Sequence, residues 1–197
     1  MEQVRAATAT DRPGAIRTLG RAFAADPVVR WFFPDDRTYP ARAASFFGFL
    51  IDARLAGGAV FVTEEVSAVS AWNPPGGNRR GAAWVEERWF EAVAGFAGDE
   101  HARLDGFETA TASMHPEEPH WYLGIVGVDP DAQGAGWGRG VIRPGLAAAD
   151  RDGVEVYLET VEHNLAFYER LGFRTTATAD LPGGPTLVGL RRAPRVS

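Results

Sequence analysis

The strongest constraint on the fold lies in residues 121–160. Trp121-Tyr122-Leu123-Gly124-Ile125-Val126-Gly127-Val128 is a strand-like run, followed by Asp129-Pro130, a glycine-rich turn and a helix from about Gly136 to Asp152. Val154-Glu155-Val156-Tyr157-Leu158-Glu159-Thr160 is then a second strand. A strand passed through glycines into a helix and back to a strand implies a sheet covered by helices. The flanking sequence extends the pattern. Residues 4–8 read as an opening strand, and Thr10-Asp11-Arg12-Pro13 offers a helix cap with proline in the first turn. Ile16, Leu19, Ala22 and Phe23 follow at helical spacing until Asp26-Pro27, and Phe46, Phe47, Phe49 and Leu50 mark a second helix ending near Gly57-Gly58. Residues 59–63 and 66–72 form a hairpin that ends in the breaker Asn73-Pro74-Pro75-Gly76-Gly77-Asn78. Residues 82–114 are helical with a break near Gly98-Asp99, residues 164–171 form a short helix, and residues 173–178 and 186–191 close the sheet. The fold class is α/β (α+β), with a mixed sheet in a single domain over 1–197.

Composition removes several chemistries. The 197 residues carry 26 acidic and 20 basic side chains, a net charge of −6, and every basic residue is arginine. Without lysine there is no Schiff base, no P-loop lysine and no lysine base. Without cysteine there is no disulfide, thiolate nucleophile or zinc-thiolate site, which fits a reducing cytoplasm. The acidic balance argues against nucleic acid as a partner. Charged residues interrupt the first thirty positions, so no signal peptide is expected, and no run approaches the ~18 apolar residues of a membrane span.

The turn Gln133-Gly134-Ala135-Gly136-Trp137-Gly138-Arg139-Gly140 brings free backbone N–H groups and a positive helix end together, which makes it an anion site. Glycines allow close approach, and Arg139 adds charge for a phosphate. The segment lacks the Walker lysine, and its spacing is not that of the Rossmann fingerprint.

Val128-Asp129-Pro130 with Gln133-x-x-Gly136-x-Gly138, together with Asn164-Leu-Ala-Phe-Tyr168-Glu-Arg-Leu-Gly172-Phe173, resembles the GCN5-related N-acetyltransferases (GNAT). Val4-Arg5-Ala6-Ala7-Thr8, Leu158-Glu159-Thr160 and Phe167 to Phe173 are similar to the puromycin-type enzymes of that family, most strongly after residue 120. The resemblance implies a mostly antiparallel central sheet of six to seven strands, splayed at the strand that holds acetyl-CoA. It implies acetyl-CoA as co-substrate, with pantetheine along the backbone of Ile125, Val126, Gly127 and Val128. The pyrophosphate would sit on Gly134, Ala135, Gly136, Trp137, Gly138 and Arg139, with Gln133, Asn164 and Phe167 beside it. Residues 1–119 would form mainly the acceptor side and 120–197 mainly the coenzyme side. Asn164 lies only four residues before Tyr168, closer than in many family members, so its first reading is helix N-cap.

By the same resemblance, Tyr168 is the catalytic acid for the departing thiolate; packing beside Phe167 is the other reading. Alternation along residues 154–160 puts Tyr157 and Glu159 on one face, and Glu159 is the candidate base or else an exposed strand-end carboxylate. His115, Glu118 and His120 form a second acid/base cluster, read as loop capping and not as a metal site. Trp31, Phe32, Phe46 and Trp72 could build an aromatic wall for the acceptor or simply core, and Asp26 or Glu108 could attract a cationic amine. The expected reaction is direct acetylation of a small-molecule primary amine, such as a puromycin-like aminonucleoside, without metal. Acetylation of a peptide amine and a non-catalytic coenzyme sensor are the alternatives, and the oligomeric state is left open.

Overall fold

The computed structural model describes residues 3–195, and these form one seven-stranded sheet with helices on both faces. In chain order the elements are β1 (Val4–Ala6), α1 (Arg12–Ala22), α2 (Pro27–Phe32), α3 (Tyr39–Gly57), β2 (Ala59–Thr63), β3 (Ala68–Asn73), α4 (Ala82–Val93) and α5 (Gly98–Ala112). They continue with β4 (His120–Val128), α6 (Trp137–Asp152), β5 (Glu155–Thr160), α7 (Leu165–Glu169), β6 (Arg174–Asp180) and β7 (Thr186–Arg192). The strand order is β1-β2-β3-β4-β5-β7-β6. Only β4 and β5 run parallel, because α6 carries the chain from one to the other; every other neighbour is antiparallel.

Two of the three apolar clusters among the described residues sit on opposite faces of the sheet, and the third, with Met114, Tyr157, Val161, Leu181 and Leu187, packs around β5 and β7. Leu19, Phe33, Phe47 and Ile51 pack with Val60, Val62 and Val69 beneath α1 and α3. Trp72, Leu123, Ile142, Leu158, Phe173 and Leu190 pack beneath α6. The sequence boundaries shift in a few places. The first strand ends at Ala6, since Ala9–Asp11 forms a 3-10 turn whose Asp11 carboxylate accepts from Thr8 N and both terminal nitrogens of Arg5. The break between α4 and α5 falls at residues 94–97, and the last short helix opens with a 3-10 turn, Glu162–Asn164.

Local chemistry sets the ends that matter for the site. Asp26 Oδ1 accepts from Val28 N and Val29 N, both at 2.9 Å, so Asp26-Pro27 ends α1's run and starts α2. Gly136 and Gly153 bracket α6 in left-handed backbone (φ 84° and 68°). Strand β4 carries one extra residue: Ala71 lies opposite Ile125 and Trp72 opposite Leu123, which leaves Gly124 as a bulge. Leu123 therefore faces α6, whereas Gly124 and Ile125 both face α3. Among the described residues no helix is long and apolar enough to cross a membrane.

Candidate active site

β4 and β5 pair only from His120↔Glu155 to Tyr122↔Tyr157. Beyond that point β4 stays on β3 as far as Ala68↔Val128, while β5 stays on β7 as far as Thr160↔Val188. The two strands part into a V, and residues 125–128 have no sheet partner on the β5 side. A cleft of about 890 Å³ opens there, walled by Val126, Gly127 and Val128, by the 133–139 turn, by Asn164, Phe167 and Tyr168, and by Phe23 and Asp26.

The turn is built to present N–H groups. Asp129 Oδ1 accepts from Asp131 N, Gln133 Nε2 donates to Val128 O at 3.4 Å, and Gly134 and Gly136 are left-handed (φ 83° and 84°). The N–H groups of Trp137, Gly138 and Arg139 belong to the first turn of α6, where no intrahelical carbonyl can reach them. Arg21 of α1 holds the turn from outside through Asp129 at 3.3 Å and Asp131 at 2.7 Å. A Cβ at Gly138 would sit 3.5 Å from the Phe167 ring, so the turn packs closely on α7. Oriented N–H groups, a helix N-terminus, the Arg139 guanidinium and backbone free of Cβ atoms together fit a diphosphate.

Tyr168 is half-buried, edge-on to Phe167 at 5.0 Å and Phe173 at 5.7 Å. Burial, and then the nearby Asp26 charge, push its phenol above the ordinary tyrosine value, so the hydroxyl keeps its proton at neutral pH. Burial likewise raises the Asp26 carboxyl, against the opposing pull of the Val29 and Val28 N–H groups.

On the opposite face of the sheet the V closes over a buried polar cluster. Tyr122 OH donates to Glu159 Oε2 at 2.8 Å, and His115 Nε2 stands 2.8 Å from Oε1. The Glu159 side chain is only 5% exposed, so it is not the exposed strand-end carboxylate considered from sequence. The second contact lies outside hydrogen-bonding geometry, and Oε1 keeps an unused lone pair. Arg54 of α3 is buried above the bulge; its Nη1 donates to Leu50 O at 3.2 Å. A Cβ at Gly124 would lie 2.8 Å from Arg54 Cζ, so the glycine makes room for the guanidinium. Burial, with the Glu159 charge, raises the Tyr122 and Tyr157 phenols far above their ordinary value.

A profile of the acetyltransferase (GNAT) family matches residues 19–173, which include the turn, both arms of the V and Tyr168. The chain belongs to the GNAT family. Enzymes of this family use acetyl-CoA as co-substrate, and the chain is accordingly an acetyl-CoA-dependent N-acetyltransferase. An uncharacterized N-acetyltransferase of Schizosaccharomyces pombe is 26% identical over 84% of this chain and 71% of its own. A mycothiol acetyltransferase of Saccharomonospora viridis is 36% identical over 47% of this chain, which spans only 33% of that relative. A Corynebacterium glutamicum crystal structure, described as histone acetyltransferase HPA2 and related acetyltransferase, is 26% identical with a TM-score of 0.72, covering 100% of this chain and 99% of that one.

Within this GNAT fold, Val126, Gly127, Val128, Gln133, Gly134, Gly136, Trp137, Gly138, Arg139, Asn164, Phe167 and Tyr168 all line the cleft. Ala135 stands outside the wall, and the Ile125 side chain is buried toward α3. Asn164 is not a side-chain cap, because its Nδ2 donates to Thr160 Oγ1 at 3.2 Å instead. Trp72 cannot join an acceptor wall: it is fully buried under α6, its Nε1 donating to Ser70 Oγ. Phe32 is core, in tilted or edge-on contact with Phe33, Phe46 and Phe107; Phe46 is half-buried against it, and Trp31 is half-buried against the Gly184 turn. Glu108 is exposed on α5. Little in the local sequence marks Arg54, Tyr122 and Tyr157 beyond Gly124 interrupting a strand.

Proposed function

We propose that this acetyltransferase moves an acetyl group to the primary amine of a small molecule by direct attack in a ternary complex. Supporting the reading most strongly is one juxtaposition: the strands diverge where a neutral phenol, Tyr168, faces one side of the V and a buried carboxylate, Glu159, sits on its β5 arm. Acetyl-CoA, when bound, supplies an activated thioester; the residues of the 133–139 turn hold its diphosphate, and the β4 edge from Ile125 to Val128 pairs with its amide arm. Glu159 Oε1 takes a proton from the amine as the N–C bond forms. Tyr168 gives its proton to the sulfur as the C–S bond breaks. No lysine or cysteine exists to carry the acetyl group on a side chain, which favours direct transfer.

For the acceptor, a puromycin-like aminonucleoside is the leading class, with the half-buried Trp31 and Phe46 on its apolar side and Asp26 toward the cation. The test is thiol release from acetyl-CoA in the presence of a panel of primary amines that includes puromycin, polyamines and a lysine peptide. Release that depends on puromycin supports the reading. Release with the peptide alone turns it toward a protein acceptor, and coenzyme binding without any release turns it toward a sensor.

A further inference from the structure

We propose that His115 is the proton exit for the buried Glu159 carboxylate, a positioning and relay role that rests on the reading of Glu159 as the base. A base that is 5% exposed must discharge its proton once per turnover, and water cannot reach it freely. The groups around it leave one acceptor. Tyr122 from β4 and Tyr157 from β5 hold phenols raised far above neutrality, so each keeps its own proton. Arg54 from α3 stays cationic even when buried and has nothing to accept with. Arg191 from β7, beside Tyr157, is likewise a donor only. His120 rests against Tyr157 and His115, at 5.8 and 6.1 Å between ring centroids, with Nδ1 tied to Glu118 O at 2.8 Å.

His115 alone combines contact with exposure. Its Nε2 is 2.8 Å from Glu159 Oε1, its ring packs 4.7 Å from Tyr157 and 5.2 Å from Tyr122, and 36% of its side chain reaches solvent. A neutral imidazole accepts at one nitrogen and donates at the other. The amine N–H bond breaks as an O–H bond forms at Oε1; that O–H bond breaks as an N–H bond forms at Nε2, the Nδ1 proton passes to water, and proton exchange between the exposed ring and water restores the starting tautomer. Oε1 is buried and has no hydrogen-bond partner, so its unused lone pair takes the amine proton first, and a small rotation of the His115 ring then aligns Nε2.

The experiment measures amine-dependent thiol release for wild type, His115→Ala, His115→Gln and Glu159→Gln in weak buffer, with and without added imidazole, beside acetyl-CoA affinity and thermal melting. Loss of a proton-transfer group costs roughly 10²-fold or more in turnover. His115→Ala should lose activity on that scale, keep its coenzyme affinity, and regain activity in proportion to imidazole concentration. His115→Gln, which fills the site but accepts no proton from a carboxyl group at neutral pH, should melt like wild type yet remain slow. Glu159→Gln should be slow and unresponsive to imidazole. Wild-type turnover in His115→Gln, or a slow His115→Ala that imidazole does not rescue, overturns the relay. Wild-type turnover in Glu159→Gln, or no amine-dependent release by the wild type, instead overturns the underlying assignment of the base.

Discussion

Gly145→Ala would wedge a methyl group between α6 and the sheet. The added Cβ would overlap the Cε2 and Cζ2 atoms of Trp72 and stand 2.7 Å from Cδ2, whereas carbon contacts settle at about 3.5–4.0 Å. Either the ring or the helix must therefore retreat by roughly 1 Å. The ring has little freedom. It is fully buried, its Nε1 donates to Ser70 Oγ at 3.0 Å, Ser70 Oγ donates to Val141 O of α6 at 2.6 Å, and Trp121 packs edge-on at 6.4 Å. Overpacking of this kind costs about 1–3 kcal/mol. Replacing a helical glycine returns about 1 kcal/mol. Because the overlap falls on three atoms of a ring that is held in place, the cost belongs in the upper part of that range, about 2–3 kcal/mol, and the net loss is about 1–2 kcal/mol, or roughly 2–8 °C in Tm for a chain of this size. Gly20→Ala is the matched control, since nothing lies within 4 Å of its added Cβ in α1. It should hold or raise the Tm, by at most about 1 kcal/mol of stability. Thermal unfolding followed by circular dichroism at one scan rate compares the pair. A Gly145→Ala protein melting at or above wild type would refute the packing described for α6 and Trp72.

Other perturbations probe the cleft and the carboxylates. Gly136→Ala forces a side chain into left-handed backbone at the start of α6, at a cost of about 1 kcal/mol or more, so the Tm should fall by roughly 2–4 °C or more and calorimetry should show weaker acetyl-CoA binding. Asp150 accepts from Nη1 and Nη2 of the buried Arg192 at 2.8 and 3.0 Å, and that pairing holds its carboxyl below the ordinary range. Its stabilisation is therefore full above the unfolded carboxylate value of about 4 and fades as pH falls through the lower folded value. Asp150→Asn should destabilise the protein at neutral pH, by up to about 3 kcal/mol because a buried arginine loses its partner, and should reduce the loss of stability on acidification. Equal acid sensitivity in both proteins would contradict the pairing.

Much of the architecture was legible because its signals are local. Glycines at 134 and 136, the strand-forming runs of β4 and β5, and Asp26-Pro27 each act through their own backbone, and the structure places them as their chemistry requires. Of the two readings of Trp72, acceptor wall or core, the structure takes the second, and the reason is tertiary. α3 covers one face of β3 and α6 the other, so five of its six residues are buried and period-two reasoning cannot say which side is wet. Arg54 was invisible because an arginine in the last turn of a helix ordinarily meets solvent and complements the helix dipole. Its burial depends on the missing Cβ of Gly124, seventy residues later in the chain. The bulge at Gly124 also shifts the facing of β4, which a regular alternation conceals. The alternation that paired Tyr157 with Glu159 holds, but their burial and the approach of His115 from the α5–β4 connection are long-range facts.

In the proposed mechanism Tyr168 protonates the leaving sulfur. Tyr168→Phe removes one hydroxyl and leaves the ring contacts with Phe167 and Phe173 in place. Steady-state thiol release under saturating acetyl-CoA and amine, measured beside equilibrium acetyl-CoA binding, separates chemistry from recognition. The prediction is a fall in kcat of about 10²-fold or more with coenzyme affinity little changed. Unchanged kcat in Tyr168→Phe would contradict it.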